Sequence, residues 1–183
     1  MALTQVQGGM ILPSTTLTTP IVATTIGVGG ATPSASGSGI TFPATASSSS
    51  DANTLDDYEE GTFTPVVTGT SIVHVTQEGS YVKIGQFVFC NLNVRISSGT
   101  PNGQVSGLPF VPDTSTAAQS VTANIYDPTG GITYAASRTY PSFYINASSI
   151  LVGGAGGSGQ GDGGVTFSST VRFNCTFVYR TTS

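Results

Sequence analysis

The chain has 183 residues, a formal net charge of −4 and 8% charged side chains, against about 25% in an ordinary soluble domain. That length allows one domain of usual size plus a tail, and so weak a charge makes an isolated monomer a poor colloid, which points to a partner surface or a fixed assembly. The five basic residues, Lys83, Arg95, Arg138, Arg172 and Arg180, are scattered along the sequence, which excludes a sequence-independent nucleic-acid binder because phosphate contacts need clustered Lys and Arg.

No apolar run approaches the roughly 20 residues that span a bilayer. The N-terminus lacks the basic start of a secretory signal. Both absences fit a protein made and assembled in a cytoplasm.

Residues 1–11 alternate apolar and polar side chains, with Leu3, Val6, Met10 and Ile11 around Gly8-Gly9. Such a peptide buries too little to order itself. It reads as a docking arm that adds an extended segment to another protein. Residues 12–50 are rich in Ser, Thr, Gly and Ala, with Pro13, Pro20, Pro33 and Pro43. The Pro and β-branched load excludes helix. A linker or an extended stem in which three chains wrap each other remains, and the neutral composition favours the stem.

The first acidic or basic side chain is Asp51, and Asp51 to Glu60 carries five carboxylates. Residues 51–61 read as an acidic junction with one or two helical turns, capped by Asp51 or Asn53. Leu55 and Tyr58, three apart, would share a face there and seat the stem on the body, with Asp56, Asp57 and Glu59 or Glu60 in solvent. A Ca²⁺ site is the sharper reading of these acids, but the spacing lacks the glycine turn and alternating oxygens of a dedicated loop.

From Thr62 the pattern is β. Short strands are expected over Phe63–Val67 and Ile72–Thr76, with a turn at Glu78-Gly79 before Ser80–Ile84. Gly85-Gln86 breaks the pattern before Phe87–Ile96, where Val88, Cys90, Leu92, Val94 and Ile96 alternate with a polar far face. This predicts a hairpin around Gly85. Ser97 to Gly103 reads as a loop, and Leu108 and Phe110 as plugs for one end of the core. Further strands are expected over Gln119–Tyr126, Ile132–Ala136, Ser142–Ile145, Ser149–Val152 and, last and longest, Val165–Arg180. In the last, Val171, Phe173, Cys175, Phe177 and Tyr179 face one way. Cys90 and Cys175 read as two buried thiols packing as small hydrophobes. The sum is all-β: an antiparallel sandwich or jelly-roll head over residues 62–183, preceded by the arm and stem.

No catalytic constellation is legible. His74 is the only histidine and reads as structural or surface. Asp113, Asp127 and Asp162 offer no spacing that favours a glycosidase pair. No cofactor or metal is expected. Two ligand-contact candidates stand out. One is Gly153 to Gly164, with eight glycines in twelve residues, where close backbone approach could combine with Gln160 and Asp162. The other is a set of aromatics, Tyr126, Tyr134, Tyr140, Phe143 and Tyr144, near Asn124, Asp127 and Asn146. Sugars stack on such rings.

The segments Gly39 to Thr45 (GITFPAT), Ala52 to Pro65 (ANTLDDYEEGTFTP), Tyr81 to Phe89 (YVKIGQFVF) and Ser106 to Phe110 (SGLPF) together resemble the C-terminal region of tail-fibre and related virion proteins of tailed bacteriophages. The resemblance runs from Gly29 to the C-terminus. It implies a non-enzymatic virion structural protein, usually a homotrimer, assembled in the host bacterial cytoplasm. Other virion proteins would hold it through residues 1–50. The outward head would contact a glycan or protein of the host surface. The alternative is a capsid decoration protein of the same fold, which the shortness of the segment before the head favours.

Overall fold

The computed structural model describes residues 25–33, 37–45, 53–55, 57–113, 115, 119–121, 124–126, 132–134, 140–146, 149–155 and 165–182. Its regular elements are all strands. By contact, the chain divides into Met1–Ala44 and Thr45–Ser183.

In the first unit, β1 (Thr25–Gly27) pairs in parallel with β2 (Gly39–Thr41). A parallel pair needs a return crossover, so the described part of the expected stem does not run through as one extended segment. It doubles back, with Gly29 and Gly30 at φ 57 and 80 and Val28 donating its N–H to the Thr41 carbonyl at 3.0 Å. The docking arm, residues 1–11, lies outside the described residues.

The second unit is built on one hairpin. β3 (Tyr58–Phe63) pairs with β4 (Val66–Ile84), which turns at Gly85-Gln86 into β5 (Phe87–Ser106). Gly85 has φ 54, as a two-residue hairpin with glycine first in the loop requires. Along its other edge β5 changes partner. Arg95 back to Phe87 pairs with β12 (Arg172–Arg180), and Gln104 to Ser106 pairs with β10 (Ser149–Ala155). β9 (Tyr140–Asn146) and β6 (Gln119–Val121) follow β10, and β7 (Asn124–Tyr126) follows β12. All pairings in this eight-stranded sheet are antiparallel. β8 (Ile132–Tyr134) and β11 (Val165–Phe167) form a separate antiparallel pair.

The alternation read from the sequence is the one that buries. Val88, Cys90, Leu92, Val94 and Ile96 of β5 face Phe173, Cys175, Phe177 and Tyr179 of β12 in one core. Leu108 and Phe110 pack against it as plugs. Both thiols are buried and free. Cys90 is in register with Phe177, and Cys175 with Leu92, so the cysteines are diagonal neighbours roughly 7–8 Å apart, beyond disulfide reach.

Several expectations give way. The strands expected over Phe63–Val67 and Ile72–Thr76 are divided differently: Phe63 ends β3, and Val66 to Thr76 lie within the single strand β4. The described part of the acidic junction holds no helix: residues 53–55 and 57 lie outside any regular element, and Tyr58 to Gly61 is strand β3, so the head's sheet begins before Thr62. Glu78-Gly79 is not a turn but lies inside β4. A Cβ on Gly79 would sit 2.6–2.7 Å from the Phe63 ring opposite, and one on Gly61 would sit 2.7–2.9 Å from Tyr81. Each glycine thus clears space for an aromatic ring across the ladder. Ser97 to Gly103 is not a loop. It continues β5 against β4 through several register shifts, with Pro101 opposite Gly69, a proline tolerated because bulges relax the ladder. Finally, the long last strand breaks between β11 and β12, where Thr170 N–H bonds the Ser168 hydroxyl at 3.4 Å, a local serine turn that competes with the ladder.

Candidate interaction surface

Three of the segments that carry the resemblance, those within 52–65, 81–89 and 106–110, meet on the inner side of the sheet. Asp57, expected in solvent, is buried and forms an ion pair with Lys83, which is 3% exposed. The Asp57 carbonyl also accepts the Gly85 N–H at 3.0 Å. The Lys83 ammonium lies 5.5 Å from the centre of the Phe110 ring, close enough for a cation–π contact. Tyr81 meets the same ring edge-on at 5.2 Å. Phe110 is clamped at both backbone polar groups: its N–H donates to the Tyr179 hydroxyl at 3.1 Å, and that hydroxyl donates to its carbonyl at 3.0 Å. The Tyr81 hydroxyl donates to Glu59 at 2.5 Å; this carboxylate, then burial, pushes its pKa up to about 12. Every one of these groups is engaged within the protein, so the cluster holds the start of β3 and the 106–110 turn onto the hairpin.

The outer side is open. Directly paired residues of neighbouring strands share a sheet face. One outer row is Tyr58, Ile84, Phe87 and Arg180; the next is Glu60, Val82, Phe89 and Val178. Tyr58, Ile84, Phe87, Phe89 and Val178 are 39–50% exposed. Five large apolar side chains across four adjacent strands form a contiguous patch, of the kind that marks a contact surface. The third row is polar: Thr62, Ser80, Asn91 and Thr176, with the Asn91 amide donating to the Thr176 hydroxyl at 2.9 Å. A shallow depression of about 520 Å³ lies along these rows. It is too open to enclose a small molecule as an active-site cleft does.

The residues expected at sites are placed differently. Leu55 is 55% exposed and outside any strand, and Tyr58 lies on the outer face of β3 with its hydroxyl on Glu60 at 3.1 Å. The shared helical face of Leu55 and Tyr58 is therefore not formed. Of the tyrosines, Tyr126 stands on β7 in register with Arg172, Tyr134 on β8 in register with Val165, and Tyr144, half-buried, on β9 in register with Leu151. Tyr134 thus belongs to a different sheet from the other two. Gln160 and Asp162, and Leu3, Val6, Met10 and Ile11, lie outside the described residues.

His74 accepts the Val67 N–H at Nε2, 3.0 Å away, a bond that ties a bulged stretch of β4 to its own start. Asp113 accepts from the Ser115 hydroxyl and N–H and lies 3.7 Å from Arg180; the serine bonds, then the arginine, hold its pKa below the usual carboxylate value. Among the described residues, no group of three or more His, Cys, Asp or Glu could hold a metal ion.

Ile84, Phe87, Phe89 and Val178 were not anticipated as a surface. The signal was present: the far face of the best strand opens with two phenylalanines before it turns polar at Asn91. Comparison with family models, curated proteins and solved structures finds no match.

Proposed function

We propose that this chain is a non-enzymatic structural protein of a bacteriophage virion. It acts as a homotrimer, held to other virion proteins through residues 1–50. Its β head, which we read as a sandwich, faces outward and contacts the host surface. The observation that carries this reading is the exposed apolar patch of Tyr58, Ile84, Phe87, Phe89 and Val178. A chain with so little surface charge gains most by covering such a patch with a copy of itself. Glu60 on the β3 side and Arg180 on the β12 side flank it, so opposite edges of two copies bring opposite charges together.

The internal engagement of the segments within 52–65, 81–89 and 106–110 supports the same reading. They build the head rather than a reactive centre. Antibody labelling of virions under the electron microscope tests the assignment: signal at the tail tip supports it. Signal spread over the shell supports the capsid-decoration alternative instead, and no signal on virions rejects both. Purified protein should also block adsorption to host cells in the first case and leave it unchanged in the second.

A further inference from the structure

The four basic residues among those described are used unequally. Lys83 is consumed by Asp57, and Arg180 lies near Asp113 and donates to Gln86 at 2.9 Å. The remaining two, Arg95 and Arg172, are separated by most of the head in sequence, yet the pairing of β5 with β12 sets them directly opposite each other. Both lie on the outer face: Arg95 is exposed and Arg172 half-exposed. Like charges in that position are destabilising, and among the described residues neither guanidinium has an ion-pair partner. In a chain of net charge −4, this is a local positive spot placed where the fold alone gains nothing from it.

Its surroundings are specific. Asn93 accepts the Arg172 Nε–H at 2.8 Å and passes its own amide to Glu78 at 3.0 Å. That bond orients the Arg172 fork and leaves its terminal nitrogens to bind elsewhere. The row continues from Arg172 to Tyr126, and the neighbouring row runs Asn93, Asn174, Asn124. Two guanidiniums, Asn93 and Asn174 thus share one end of the sheet face, beside the register positions of Asn124 and Tyr126 and displaced along the strands from the apolar patch.

We propose that this surface binds a carboxylate-bearing saccharide, an acidic sugar unit of a polysaccharide. Two guanidiniums on one row offer a carboxylate charge-assisted hydrogen bonds of the kind that favour arginine at such sites. Exposed Asn174 in the neighbouring row supplies a donor and an acceptor for ring hydroxyls. Glu78, already bonded by Asn93, leaves the local charge positive. The inference rests on the reading of the head as the outward contact of the virion and names the class of ligand it meets.

Titration calorimetry on the full chain tests it, with oligogalacturonate, a neutral maltooligosaccharide of equal length, and sulfate as separate probes. The uronate should bind at least tenfold more tightly than either other probe. Arg95→Gln with Arg172→Gln should abolish that preference, while the single Arg95→Gln, by relieving the like-charge contact, should leave the melting temperature unchanged or raised. Equal affinity for uronate and neutral sugar, sulfate binding as tight as the uronate, or full uronate affinity in the double variant each overturns the proposal. A fall in melting temperature of Arg95→Gln would assign the pair a structural role and overturn it too. The oligomeric state, measured on the same samples, separates this failure from failure of the assembly reading: a trimer that ignores uronate rejects only the ligand.

Discussion

Replacing Lys83 with Met puts the internal cluster to a quantitative test. The substitution keeps the length and most of the apolar stem but removes the charge. Asp57 is then left with its side chain only 12% exposed and its cation gone. Removing one partner of a buried pair costs about 3–5 kcal/mol, whereas replacing both by apolar groups of similar volume is often neutral. The lost contact with Phe110 adds about 0.5–1 kcal/mol. Against a total stability of about 5–15 kcal/mol for a domain, Lys83→Met alone should move the urea midpoint sharply down. Adding Asp57→Leu should recover most of the loss. The assay is equilibrium urea unfolding at one protomer concentration, since self-association makes stability concentration-dependent. A single-variant cost below about 1 kcal/mol would place the pair among ordinary surface salt bridges and refute the argument. So would a double variant no better than the single.

Other consequences follow from the packing. Gly79→Ala should cost roughly 1–3 kcal/mol, since the new methyl meets the Phe63 ring; Phe63→Leu in the same chain should return part of it, and a Gly79→Ala protein as stable as wild type would show that the ring is not held there. Burial pushes Cys90 and Cys175 from the ordinary 9.0 up to about 12, the neighbouring Cys175 adding to the effect on Cys90. The unfolded chain then loses these protons first, so stability should fall as pH rises from about 9 towards 12. A Cys90→Val, Cys175→Val variant should show a shallower decline, and an equally steep one would move the cause to the tyrosines whose pKa is also raised, Tyr81 and the buried Tyr179. Phe87→Asn with Phe89→Asn should weaken self-association by about 2 kcal/mol per contact, roughly thirtyfold, since each half-exposed ring forfeits about half of its burial free energy; unchanged association would exclude the patch as the contact. A chain lacking residues 1–11 should still fold and associate but fail to enter virions, and normal incorporation would reject the docking arm.

The parts of the fold legible in the sequence are those written in strict alternation. Val88 to Ile96 and Phe173 to Tyr179 buried the side chains that the pattern named, and Gly85 turned the hairpin. What misled was punctuation. Glycine and proline mark turns when they are not answered across a ladder. Here Gly61 and Gly79 are answered by Tyr81 and Phe63, and Pro101 by Gly69, so Glu78-Gly79 and Ser97 to Gly103 stay in strands. That answer depends on register, which local sequence does not carry. The Asp57–Lys83 pair escaped for the same reason, because a helical reading of Asp51 to Glu60 turned Asp57 outward. The opposed arginines are the extreme case: nothing in the spacing of Arg95 and Arg172 suggests that they meet. Phe87 and Phe89, by contrast, were readable as an apolar start to a polar face.

The measurement that bears most directly on the account is the native mass of the full chain in solution, by sedimentation equilibrium at micromolar concentration. A self-associating head with its apolar face covered predicts a species of three 18.5 kDa chains. A stable monomer of 18.5 kDa, with Tyr58, Ile84, Phe87, Phe89 and Val178 still open to water, would contradict it.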